Sequence, residues 1–204
     1  MATLYDYPER VGIVTAMRVL GIDTSLTGTG LARIDVQEID DDNPLAAYTI
    51  EVVTVSAPKP TKDKSKRAMA RRVKALIAEI ETCFSTPGET PDHVGIEGLA
   101  YSAGNASAWV LAWVWGETIA LCEEYQVPLT VVATSARAKF ATGKGNAPKD
   151  QVLLAAARLF PEAGIADNNE ADAAIVGATV CQQLGVPILP VTAYRTEVME
   201  KLGD

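Results

Sequence analysis

The first ordered pattern in the chain begins at Met17, where a short apolar run, Val19-Leu20-Gly21-Ile22, closes on an acid, Asp23. Short apolar runs bounded by turn residues read as strands. Thr27-Gly28-Thr29-Gly30 is turn-like, and residues 31–36 predict a second strand. An acidic loop covers 40–44, and the β-branched run 48–55 predicts a third strand that closes an antiparallel meander. Pro58 and Pro60 punctuate the chain. Residues 64–84 then place Ala68, Val73, Leu76, Ile77 and Ile80 at near-helical spacing, ended by Pro87-Gly88. Residues 93–97 are a short strand that again finishes on an acid, Glu97. The segment 105–125 is helical and apolar nearly all round, with Trp109, Trp113 and Trp115 among its large residues. Such a helix needs cover from the core, or from the core and a partner subunit. A fifth strand at 129–133 and helices at about 149–159 and 170–184 complete the pattern. The order βββ-α-β-α-β-α-α places helices on a five-stranded mixed sheet, an α/β architecture. Residues 17–186 are expected as one domain, 1–16 as an N-terminal extension outside the ordered pattern, and 187–204 as a short polar C-terminal tail.

Composition narrows the class. A chain of 204 residues, 48% of them apolar, can bury a core without disulfide or metal staples. No apolar run approaches the roughly 20 residues that span a bilayer. Cys83, Cys122 and Cys181 are odd in number and widely spaced, which suits reduced thiols in the cytoplasm.

The formal net charge of −8 argues against a uniformly basic polyanion binder, but it hides a segregation. Residues 35–51 carry six acids and no base, whereas 59–74 carry eight bases against Asp63. Arg137, Lys139, Lys144 and Lys149 add a second basic segment, so twelve of the 18 Lys and Arg lie in two stretches. Such faces are usually only solvated, but the arrangement keeps a nucleic-acid partner open.

Three acids stand out. Asp23 and Glu97 each end a short strand before a glycine-containing turn, and neighbouring strand ends bring carboxylates together. Asp172 stands at the start of an Ala-rich helix able to pack closely on the sheet. Singly, each reads as a turn, cap or dipole residue. Clustered, they repel, and oxygen-only ligands suit Mg²⁺ or Mn²⁺. Two such ions about 3.5–4 Å apart can activate water and stabilise the leaving oxygen in phosphodiester cleavage.

Four motifs in order resemble the RuvC-type Holliday-junction resolvases of the ribonuclease H-like superfamily, particularly phage-borne members. They are Arg18-Val19-Leu20-Gly21-Ile22-Asp23 through Gly30; Val94-Gly95-Ile96-Glu97 through Tyr101, followed by Asn105; Gly143-Lys144-Gly145 through Lys149-Asp150-Gln151-Val152; and Asn169-Glu170-Ala171-Asp172. The resemblance spans about residues 17–184 and implies a ribonuclease H-like fold and a homodimeric, metal-dependent endonuclease that nicks four-way DNA junctions. It assigns metal binding and catalysis to Asp23, Glu97 and Asp172, with two Mg²⁺ or Mn²⁺ ions per site. Such ions would supply an activated water for in-line attack on phosphorus, with a 5′-phosphate and a 3′-hydroxyl as the expected products. The family's fourth acidic position falls on Asn169, which shares a helix face with Asp172 and can offer a neutral carbonyl oxygen. Glu170 is a secondary candidate that points elsewhere if the helix is regular there.

Lys144 and Lys149 flank glycines that let backbone N–H groups approach phosphate. With Arg137 and Lys139 they form the expected DNA-binding set, joined by Tyr101 as a stacking wedge and, on the first helix, by Lys66, Arg67 and Arg71. The dimer is expected through 105–125, and the location is the cytoplasm, the host's if the chain is phage-encoded. Three other readings stay open. One is a fork, branched-DNA or RNA-processing nuclease of the same fold. Another is a junction-binding protein weakened by Asn169. The third is an actin-like ATPase fragment, whose phosphate-binding hairpin residues 21–30 also resemble, though 204 residues leave no second lobe.

Overall fold

In the computed structural model, residues 16–37, 45–99 and 108–202 are described. Tyr101, Asn105, the acidic loop and most of the N-terminal extension lie outside these residues. The strands are β1 (Met17–Asp23), β2 (Thr29–Val36), β3 (Tyr48–Val55), β4 (His93–Glu97) and β5 (Leu129–Val132). The helices are α1 (Lys66–Ser85), α2 (Ala108–Glu124), α3 (Thr134–Thr142), α4 (Lys149–Leu159), α5 (Asn168–Gln183) and α6 (Ala193–Met199).

The sheet has the order β3-β2-β1-β4-β5. β1–β2 and β2–β3 are antiparallel, whereas β1–β4 and β4–β5 are parallel, so the expected mixed five-stranded sheet is present. Ile22 pairs with Ile96, which sets Asp23 and Glu97 at the same edge of two adjacent strands.

Side chains alternate between the faces of a strand, and this sorts the core into two layers. Leu20, Ile22, Val94 and Ile96 pack with α1 and α2, through Val73, Leu76, Ile80, Val110 and Val114. Val19, Ala32 and Ile34 pack on the other face, against α5 and the helices around it. Asp23 and Glu97 follow the alternation of Val19, Gly21 and Gly95, so both belong to the face that α5 covers.

α5 sits very low on that face. A Cβ on Gly21 would lie 2.2 Å from the carbonyl oxygen of Ala173, and one on Gly30 would lie 2.0 Å from that of Asn169. Only glycine permits such backbone approach, and the buried Ala171, Ala173, Ala174 and Ala178 of α5 complete the close contact.

Two helices depart from the sequence reading. α3 falls where the hydrophobic pattern predicts no element; it is short, and one of its buried positions is an arginine, Arg137, which breaks the apolar pattern. The segment after Pro187, expected as a polar tail, buries Ile188 and Leu189 and forms α6. Within α6 the charged Arg195 is buried: its Nε donates to the carbonyl of Phe140 and its Nη1 to that of Pro190, and its guanidinium lies over the Phe140 ring. All three cysteines are free thiols, Cys122 and Cys181 buried and Cys83 partly so. Among the described residues no helix is long and apolar enough to cross a membrane.

Candidate metal centre

Asp23, Glu97 and Asp172 converge: each offers a carboxylate oxygen, and these oxygens lie within 4.8 Å of one another. They line a cleft of about 300 Å³ together with Asn169, Arg137 and Lys149. Each acid is fixed from a different direction. β1 and β4 present Asp23 and Glu97 through their pairing. The carbonyl of Glu97 accepts from Trp115 Nε1 (3.0 Å), and the next residue, Gly98, donates to Val132 (2.8 Å), so α2 and β5 both hold this strand end.

Asp172 is placed by the start of α5. The N-cap Asp167 accepts from the backbone N–H groups of Asn169 (2.8 Å) and Glu170 (2.9 Å). The same carboxylate accepts from Thr54 Oγ1 of β3 at 2.9 Å, which ties the helix start to the edge of the sheet. A short polar side chain at this position satisfies N–H groups that have no partner within the helix. Glu170 accepts from the backbone N–H of Ala166 at 2.7 Å. It therefore closes the helix start, and it is not among the residues that line the cleft. Asn169 does line the cleft beside Asp172, and its side chain packs on Gly28.

The electrostatics follow from burial. Asp23 is pushed up to about 8, first by desolvation and then by the neighbouring charge of Glu97, a hydrogen bond to it, and the charge of Asp172. Asp172 rises to about 6, again first through burial, with Arg137 pulling it back. Three facing carboxylates cannot all ionise without positive charge nearby. Arg137 supplies one such charge from inside the protein: its Nε donates to Glu97 Oε1 (3.0 Å) and its Nη1 to Asp172 Oδ1. The donor set of hard oxygens, held close and short of positive charge, fits a divalent cation.

The expected DNA contacts fall in different places. Arg137 is 3% exposed and paired with two acids, so it belongs to the cluster and not to an open phosphate-binding face. An arginine two positions from Lys139 in a basic stretch reads as surface; the signal for the opposite was its location in the first turn of a helix that follows β5 directly. Lys139 pairs with Glu197 of α6. Lys149 is exposed at the first position of α4 and borders the cleft, and Lys144 is exposed on the loop before it. Arg71 pairs with Asp63 (2.9 Å), while Lys66 lies over the Trp109 ring, 4.1 Å from its centroid, and Arg67 is exposed. Trp115 and Asp167 were not singled out by the sequence, although an Asp two residues before Asn169 is an N-cap signature.

No protein-family model matches the chain. Curated relatives do. The crossover junction endodeoxyribonuclease RuvC of Acidiphilium cryptum is 30% identical over 161 residues, covering 78% of this chain and 87% of the relative. The protein of the same name from Dechloromonas aromatica is 27% identical over 89% of this chain and 94% of its own. Among solved structures, Thermus thermophilus RuvC is similar at a TM-score of 0.57, with 22% identity over 83% of this chain and 98% of that one. The same protein in complex with Holliday junction substrate is similar at 0.54, also with 22% identity, over 83% of this chain and 97% of that one. These structural likenesses show a shared fold.

Proposed function

The chain belongs to the RuvC family of crossover junction endodeoxyribonucleases, and from that premise we propose that it is a metal-dependent endonuclease resolving Holliday junctions and related branched DNA by paired nicks. The observation that carries this reading is the convergence of Asp23, Glu97 and Asp172 from two strand ends and a helix start.

Asp23, Glu97 and Asp172 would hold the divalent ions, Mg²⁺ or Mn²⁺, two per site, with the Asn169 side chain as a neutral neighbour. Bound there, such ions supply an activated water and stabilise the leaving oxygen. The protein's own part is to fix three oxygen donors on a rigid sheet and helix and to keep them close despite their repulsion. Lys149, exposed at the cleft edge, and Lys144, exposed on the glycine loop, are suited to contact phosphates flanking the cut. Lys66 and Arg67, exposed in the first turn of α1, are offered as further phosphate contacts.

A second protomer fits on α2. This helix buries Val110, Val114 and Leu121 against its own core but leaves Trp109 43% exposed, stacked on Trp113. Its exposed positions Ala108, Ala112, Gly116 and Ala120 recur every four residues, which lets another helix approach closely. A dimer built on α2 would set two clefts to cut opposed strands of one junction, in the cytoplasm.

The test is cleavage of a synthetic four-way junction with Mg²⁺, beside forked DNA, linear duplex and RNA. Wild type is expected to nick the junction in preference to the duplex, and Asp23→Asn to lose on the order of 10³-fold or more of that rate. Equal cleavage by both proteins removes the site. Tight junction binding without cleavage by wild type identifies the weakened, binding-only protein, and a preference for RNA or forks reassigns the substrate.

A further inference from the structure

The carboxylate cluster contains a cation of its own. Arg137 is buried, and its guanidinium bridges two acids that come from different elements, Glu97 at the end of β4 and Asp172 on α5. It reaches them from α3, which begins at Thr134, immediately past β5, with the Arg137 N–H bonded to the carbonyl of Ala133 at 2.9 Å. A guanidinium stays charged at every accessible pH and presents its donors in a fixed fork, so it suits this bridging better than any other side chain. Lys149 also faces Asp172, but it is exposed and makes no such bridge. Asn169, uncharged, lines the same cleft.

We propose that Arg137 is a positioning residue that acts as a resident counter-cation: it holds Glu97 and Asp172 together before metal arrives, and it competes with the metal for their oxygens. This rests on the metal-centre reading above. When all three carboxylates are ionised, the guanidinium cancels one of the three negative charges that would otherwise attract a bound metal. Removing the guanidinium would have two consequences of the same sign for metal binding. The metal-free cluster loses the charge that offsets its repulsion, and the bound ion loses a like charge beside two of its ligands. Arg137 thus trades metal affinity for a cluster that stays assembled without metal.

The experiment is a Mn²⁺ titration of DNA-free protein, read by the EPR signal of free Mn²⁺, beside thermal unfolding in EDTA. Wild type, Arg137→Gln, Asp172→Asn and the double variant are compared. Arg137→Gln is expected to bind Mn²⁺ on the order of tenfold more tightly. In EDTA it should melt below wild type, and adding Asp172→Asn should restore part of that loss, because it removes one of the repelling charges. Mn²⁺ binding that is unchanged or weaker in Arg137→Gln overturns the inference while leaving the metal centre standing. A melting loss that Asp172→Asn deepens also overturns it, since Arg137 would then serve packing alone. Absence of Mn²⁺ binding in both wild type and Arg137→Gln overturns the metal centre itself, and the inference with it.

Discussion

The two ends of β1 carry charge in opposite ways. At its start, Arg18 is surrounded by fixed partners: its Nε donates to Asp35 of β2, its Nη1 to the carbonyl of Gly88, and its backbone N–H to Asp92. Asp35 in turn accepts from Arg33 at 2.8 Å, and Arg33 lies 3.5 Å from Glu89. Here Asp35 and Glu89 each have an arginine partner, Asp92 accepts from a backbone N–H, and water reaches them all. Five residues later the strand ends at Asp23, where three acids share one buried arginine and the first of them is pushed up to about 8. A sheet can therefore be finished with charge in two ways. The start of β1 is satisfied by the fold and has no need of anything further. The end is left short of positive charge, which is the condition for taking up an exchangeable cation. The difference lies in the partner supply and in depth, not in residue type.

The two ends also differ in what holds them. The start of β1 depends on side chains, whereas its end depends on backbone contact beneath α5. Gly30→Ala should expose this most strongly. The added Cβ would lie 2.0 Å from the carbonyl oxygen of Asn169, with backbone on both sides and nothing flexible to yield. Urea denaturation is expected to show a loss of about 2–3 kcal/mol, and cleavage to fall with it, since displacing the start of α5 moves Asp172. Unchanged stability would mean that α5 does not sit this close to the hairpin.

Much of this site was legible in the sequence because its parts follow local rules. Asp23 and Glu97 end strands whose apolar alternation sets their face, and Asp172 opens a helix of small residues. Arg137 and Arg195 were not legible, for one shared reason. A charged side chain reads as exposed unless its partners are known, and here the partners are 35 and 40 residues away for Arg137 and, for Arg195, a carbonyl 55 residues away. Each such arginine also hid the helix that carries it: the α3 stretch predicts no element, and α6 reads as tail. The hydrophobic pattern records burial in water-poor surroundings, and it misreads a cation buried by pairing.

A smaller effect separates the two ends by pH. In EDTA the folded protein holds a proton on Asp23 up to about pH 8, whereas the unfolded chain releases it near the usual 3.8. The unfolded state then binds fewer protons, so stability falls as pH rises through this window and is greatest at its acid side. Asp23→Asn should flatten that slope and, near pH 8 without metal, be more stable than wild type. The same substitution that removes cleavage would thus stabilise the metal-free fold. Parallel slopes for the two proteins between pH 4 and 8 would mean that Arg137 already compensates Asp23 fully.

The smallest effect belongs to the satisfied end. Arg18→Ala removes the contacts to Asp35 and to the Gly88 carbonyl but leaves Asp35 paired with Arg33, and the backbone bond to Asp92 does not depend on the side chain. The ion pair is partly exposed, at 19% for the Arg18 side chain and 32% for that of Asp35, so water replaces much of what is lost. A decrease of about 0.5–1 kcal/mol is expected in urea denaturation, reduced further by added salt. Junction cleavage should match wild type, because β1 and its pairing with β4 carry Asp23 to Glu97 without this residue. A fall in cleavage larger than the fall in stability would show that the two ends of the strand are coupled, and that the register of β1 is set in part by the charges at its start.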